Sequence, residues 1–276
     1  MILNTLKINA TNGFLFVTIV LLSACGSETS NTTPESIDTV STVNIQSQNN
    51  DGFYDIPQPI GQVQLLQKAG ATYDKSILNS LDNVSKYSVI QSQALNLGVY
   101  GADLSYAAVF NQPQDVVLYL AASKKLSETL NIKGDFYTEI MKRLERSSGN
   151  KDSLMQIVSD VYQESNESLK ENDQSHISAL VVVGSFIEAM YVATQVTKNV
   201  ENKQAIYERI GDFKGSLNNL VALMTTAHDS DFSGVVADLK SIKAIYDETE
   251  GSKLTEDQIT KITKQIKVIR IKITNM

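Results

Sequence analysis

Residues 177–193 read Ile-Ser-Ala-Leu-Val-Val-Val-Gly-Ser-Phe-Ile-Glu-Ala-Met-Tyr-Val-Ala, seventeen positions that carry a single charge, Glu188. A helix this apolar around its whole circumference has no face to offer water, so it belongs at the centre of a larger helical assembly. It falls short of the roughly 20 residues a bilayer requires and holds a carboxylate, which favours a buried core helix over a membrane span.

The flanking sequence extends that reading. All four prolines (Pro34, Pro57, Pro59, Pro113) lie in the first 113 positions, and nothing after them need interrupt a helix. Leu154, Ile157, Val158, Val161, Tyr162 and Leu169 fall on one helical face, and Ile259, Ile262, Ile266, Ile269 and Ile273 form a second seam. Thr255 followed by Gln258 reads as a capping box that opens the last helix. The end of that helix, Ile269 to Ile273, alternates like a strand and leaves its final turn open. The spacing predicts helices over 60–70, 75–81, 84–110, 113–131, 135–147, 152–171, 175–199, 202–227, 231–248 and 255–273. Gly134, Gly149 and Gly251 punctuate the joins, and Pro113 suits a first helical turn. Short connections favour antiparallel neighbours. The expected fold is all-α, a multi-helix bundle or stacked antiparallel helix pairs, formed by one domain over 57–276. No 34-residue repeat of alanine and aromatic positions recurs, so a tetratricopeptide array is not expected.

A second charge-poor stretch runs from Ala94 to Phe110 with Asp103 as its one charge. Helical steps place Ser92, Asn96, Tyr100 and Asp103 on one face and Leu95, Val99, Ala102, Tyr106 and Val109 on another. Gly98, Gly101 and Gly184 each cost about 1 kcal/mol relative to alanine inside a helix, and close helix approach explains them best. Asp103 and Glu188 are the conspicuous ionisable groups, because a buried carboxylate is costly unless it is paired or protonated. Two readings of them stand side by side. In the first, each is satisfied structurally by a tyrosine, asparagine or lysine or sits at a helix edge, and at least one is expected to face solvent. Alternatively Asn96, Tyr100, Asp103, Glu188 and Tyr191 line a shared ligand pocket.

Other chemistry is thinly represented. One cysteine, two histidines and no tryptophan exclude a disulfide framework and Cys/His metal sites by count. His176 and His228 stand beside helix ends, and neither has an acidic or histidine partner three or four positions on within a helix, so no metal and no cofactor is expected. Nucleophile elbows, phosphate loops and dinucleotide fingerprints do not occur, and no catalytic residue is assigned. Gly184 to Glu188 keeps the glycine and glutamate of the G-x-H-x-x-E motif of imelysin-type lipoproteins, but the spacing is shortened and the histidine is missing, so that match is rejected. Lys261, Lys264, Lys267, Arg270 and Lys272 lie opposite the isoleucine seam of the last helix and read as its solvated face, with an anionic lipid or acidic partner as the alternative. The formal net charge of −7 argues against a nucleic-acid partner, which needs a basic face.

The amino terminus decides location. Residues 1–24 hold one base, Lys7, and no acid, with an apolar stretch from Phe14 to Leu22, the length of a signal-peptide core. Leu22-Ser23-Ala24-Cys25 follows, and it resembles the lipobox of bacterial lipoproteins. The resemblance implies cleavage before Cys25 and acylation of its thiol and new amine; two or three acyl chains make a durable anchor where one does not. Gly26 and Ser27 are not the aspartate of an inner-membrane retention signal, so the resemblance implies an outer membrane, with the protein facing periplasm or exterior. From Gly26 to about Asp55 the chain is Ser, Thr, Asn, Gln and acids, a composition too poor in apolar surface to fold. About thirty such residues form a flexible tether with a reach of roughly 30 Å. Leu95 to Ala107 resembles a segment of uncharacterised helical lipoproteins of the Bacteroidetes type, which implies the same compartment and fold class and no particular activity. The expected function is a lipid-anchored, non-enzymatic interaction or scaffold module in the cell envelope, with an envelope protein as partner. A small-ligand receptor or enzyme built on the interior polar cluster is the alternative.

Overall fold

A computed structural model of the chain describes residues 59–132, 134–147, 149–200, 202–226, 232–249 and 253–276. The leader, Cys25 and the tether lie outside the described residues, as does His228. Among the described residues the fold is all-α, with no strand. The α-helices are α1 (Ile60–Lys68), α2 (Ile90–Val109), α3 (Pro113–Thr129), α4 (Asp135–Arg146), α5 (Lys151–Glu171), α6 (Ser175–Val196), α7 (Lys203–Thr226), α8 (Ser233–Asp247) and α9 (Glu256–Thr274).

The two charge-poor stretches become α2 and α6, which pack on each other more extensively than any other pair and are wrapped by the remaining helices. Every residue from Ile177 to Met190 is buried, as is every residue from Ala94 to Tyr100. Helix α6 is long and apolar enough to cross a membrane, yet its apolar stretch is enclosed by its own chain. The glycines explain how two such helices come so close. A Cβ on Gly98 would stand 2.1 Å from the Val181 carbonyl oxygen, and one on Gly184 would stand 1.9 Å from that of Leu95. The backbones touch there, and Ser185 Oγ donates across the contact to the Gly98 carbonyl at 3.0 Å. At Gly101 the obstacle is instead a side chain, the Tyr162 hydroxyl at 2.7 Å.

Helix ends follow local chemistry. Four helices close by the same pair of hydrogen bonds around a left-handed residue: Gly70 after α1, Asn111 after α2, Asn131 after α3 and Asp173 after α5. After α2, for example, Asn111 N donates to Ala108 O and Gln112 N to Ala107 O, which satisfies carbonyls the helix leaves open. Pro113 then begins α3. Asn150 caps α5 by accepting from the backbone of Asp152 and Ser153. The capping box of α9 forms as predicted, Thr255 with Gln258. Thr255→Ala is expected to lower stability by about 1 kcal/mol, read as a shift of the urea midpoint with unchanged slope.

Three predicted elements differ. In place of a helix over 75–81 there are two short 3-10 turns, Lys75–Ile77 and Leu81–Asn83: the Asp74 and Ser80 side chains accept from the Ser76 and Asp82 amides and open each turn, and extended backbone at Leu78 and Ser80 separates them. Helix α2 accordingly starts at Ile90 rather than at 84. At the other end, α9 stays helical through Thr274: Ile269 and Ile273 are buried one turn apart, while Ile271 between them is 44% exposed. The alternation there is a coincidence of composition.

Helices α8 and α9 run antiparallel, pinned by Lys261 to Glu248, Gln265 to Ser241 and Lys272 to Asp238. That pairing sets α9 against α6 and α2, where its one arginine enters the interior.

Candidate functional site: a buried carboxyl pair held by Arg270

Asp103 of α2 and Glu188 of α6 meet in the interior, each with no solvent exposure. The expectation that one of them faces solvent is therefore wrong, and the reason lies on α9. Arg270, one of the five bases predicted to be solvated, turns inward with its side chain 13% exposed. Its Nε donates to Glu188 Oε2 at 3.0 Å and its Nη2 to Glu188 Oε1 at 3.1 Å, a two-pronged pairing that fits a planar guanidinium to a carboxylate. Nη2 also reaches the Ile77 carbonyl at 3.3 Å, and the guanidinium lies 4.5 Å from the centre of the Tyr191 ring.

Asp103 has different company. Its Oδ2 accepts from the Asn79 backbone amide at 3.0 Å, while Oδ1 has no donor. Burial first, then the neighbouring Glu188 carboxylate, push the Asp103 carboxyl well above its usual range, against the opposing pull of Arg270 and the Asn79 amide. Asp103 is thus held toward its protonated form beside the Glu188–Arg270 pair.

A ring of polar groups closes around the trio. Asn79 donates through Nδ2 to the Tyr87 hydroxyl at 3.1 Å, and Tyr87 donates to the Thr274 carbonyl at 3.3 Å. The Tyr119 hydroxyl donates to the Asn79 carbonyl at 3.0 Å, and that of Tyr100 to the Ser80 carbonyl at 2.8 Å. Burial raises all three phenols, so each stays protonated and serves as a donor. These contacts tie the irregular segment 72–84, which has no helix of its own to satisfy its backbone, to α2, α3 and α9.

Of the five predicted pocket residues, the structure brings Asp103, Glu188 and Tyr191 together around Arg270, and sets Tyr100 in the surrounding ring. Asn96 does different work: its Nδ2 donates to the Ser92 and Ile273 carbonyls at 2.8 and 2.9 Å, fastening α2 to the end of α9. Sequence reasoning missed Arg270, Asn79, Tyr87 and Tyr119. The one available signal was that Arg270 follows Ile266 by four positions, which puts it at the edge of the seam and within reach of a neighbouring helix.

Three cavities can be set beside this cluster. One of about 140 Å³ opens between α2, α6, α8 and α9, another of about 30 Å³ lies among α2 to α6, and a third is an open surface cleft beside Arg143 and Arg146. None of the three is lined by Asp103, Glu188 or Arg270. Among the described residues no group of three or more His, Cys, Asp or Glu side chains converges as metal ligands would. His176, second in α6, is exposed. No family model, no curated protein and no solved structure matches the chain.

Proposed function

We propose that the chain is a lipid-anchored envelope protein whose helical domain is a non-enzymatic interaction or scaffold module. The observation that carries the second half is the closure of the interior cluster on itself. Both Glu188 oxygens are taken by Arg270, and the ring around them ends on backbone carbonyls of the same chain. A catalytic or ligand-binding carboxylate needs a face open to substrate and a partner it can release. Here the partners are committed to joining α2, α6, α9 and the segment 72–84, which is what a rigid presenting scaffold requires. Support for the anchor is the lipobox resemblance at Leu22 to Cys25.

Two measurements test the two halves. Globomycin and Cys25→Ala are each expected to block processing, so that a precursor with its leader accumulates, and Cys25→Ala is also expected to abolish incorporation of labelled palmitate. A processed, freely soluble protein with a reactive Cys25 thiol would refute the anchor. Native mass spectrometry of the detergent-solubilised full chain is expected to show no small molecule beyond the acyl groups. A stoichiometric co-purified metabolite would replace the scaffold reading with a receptor or enzyme.

A further inference from the structure

Helix α9 and the loop before it are the basic part of an acidic protein. From Lys253 to Met276 there are six bases and two acids, in a chain of formal net charge −7. Three of those six bases are already neutralised. Lys261 pairs with Glu248 and Asp257, Lys272 with Asp238, and Arg270 with Glu188. Lys264 and Lys267 are exposed and have no acidic partner among the described residues. Their spacing places them beside two aliphatic side chains that the fold leaves out of its core, Val268 at 55% and Ile271 at 44% exposure. Positions 264, 267, 268 and 271 are separated by three, four and seven residues, so they form one contiguous diamond on the outer face of the helix.

We propose that this diamond is a docking surface for an anionic phospholipid bilayer. An uncompensated pair of lysines calls for a negative partner. The two β-branched aliphatics call for a partner that also offers apolar depth. A bilayer interface supplies both on one plane, with the lysine stems laid along the apolar layer and the ammonium groups at the phosphates. A convex helix face suits a plane and gives no groove for a peptide. The choice of a membrane rests on the anchoring reading above, since an acyl group on Cys25 keeps the domain near a bilayer. The contact itself needs no acyl chain, which allows the two ideas to fail separately.

The test uses the full chain carrying Cys25→Ala, so that no acyl group is attached and any contribution of residues 14–22 is common to every variant. Co-sedimentation is measured with vesicles of pure phosphatidylcholine and of equal parts phosphatidylcholine and phosphatidylglycerol. Binding to the anionic vesicles is expected to exceed binding to the neutral ones and to weaken with salt. Each lysine at an anionic surface is worth about fivefold in partitioning, so Lys264→Glu with Lys267→Glu should lower it at least tenfold. Val268→Ser with Ile271→Ser should lower binding while leaving its salt dependence in place. All four side chains face solvent, and circular dichroism is expected to show unchanged helix content. Equal binding of parent and variants, or no preference for the anionic vesicles, would overturn the proposal. So would binding to poly-glutamate without binding to vesicles, which would assign the face to an acidic polypeptide. The outcome does not depend on whether the unmutated protein incorporates palmitate, which tests the anchor alone.

Discussion

Arg270→Met is expected to destabilise the fold by about 3–5 kcal/mol at neutral pH, the range for removing one partner of a buried ion pair. The methionine keeps much of the volume, so the cost comes from Glu188, left charged without a counter-ion beside a second acid. Chemical denaturation near pH 5 should show a smaller loss than at pH 8, because a stranded Glu188 can then take up a proton. Adding Glu188→Gln to Arg270→Met should restore a substantial part of the stability, since it removes the stranded charge. Loss that is unchanged by the second substitution would show that the arginine acts through packing alone. Asp103→Asn is the opposite case. Its carboxyl binds a proton more tightly in the folded protein than in the unfolded chain, so the native state holds the extra proton at pH values above the ordinary aspartate range. Stability from this group therefore falls as pH rises from about 4, with a slope approaching 1.4 kcal/mol per unit until the folded-state value is passed. Asparagine keeps the shape of the neutral acid without titrating. The variant should match the parent at low pH and exceed it at pH 8, and a parallel pair of stability–pH curves would refute the protonated state of Asp103.

Gly98→Ala and Gly184→Ala should each cost about 3 kcal/mol or more, beyond the common range for overpacking. The atoms a new methyl group would meet are backbone, the Val181 carbonyl in one case and the Leu95 carbonyl in the other, and neither can rotate aside. Relief requires α2 and α6 to separate, which loosens the most extensive helix contact in the molecule and stretches the bond from Ser185 Oγ to the Gly98 carbonyl. For a domain of this size the midpoint of thermal unfolding should fall by roughly 6–12 °C. Gly101→Ala should cost less, because the Tyr162 ring in its way is a side chain able to shift. Gly215→Ala in α7 serves as the control. Nothing lies within 4 Å of its added methyl, and the gain in helix propensity should raise stability by up to about 1 kcal/mol. Equal effects at Gly98 and Gly215 would show that the close approach of α2 and α6 contributes nothing.

The all-α class, the two central helices and their closeness were legible in the sequence, because each is a local or periodic property. Circumferential apolarity marks a helix that no solvent reaches, as Ile177 to Met190 shows, and helix-interior glycines at 98 and 184 mark backbone contact even when the partner is unknown. The capping box at Thr255 is a four-residue motif and was readable for the same reason. The segment 72–84 was not, because its turns are held by side chains from α2, α3 and α9 rather than by helical period. The site was half visible. A lone acid in an apolar helix announces that it needs a partner, but nothing local says which. Only the tertiary structure decided that Arg270 leaves the lysine stripe and that Asp103 is buried beside Glu188. The electrostatic energy of a buried charge is set by neighbours from distant parts of the chain, 82 residues away for Arg270 and Glu188. That distance is fixed only when α8 and α9 fold back onto α6.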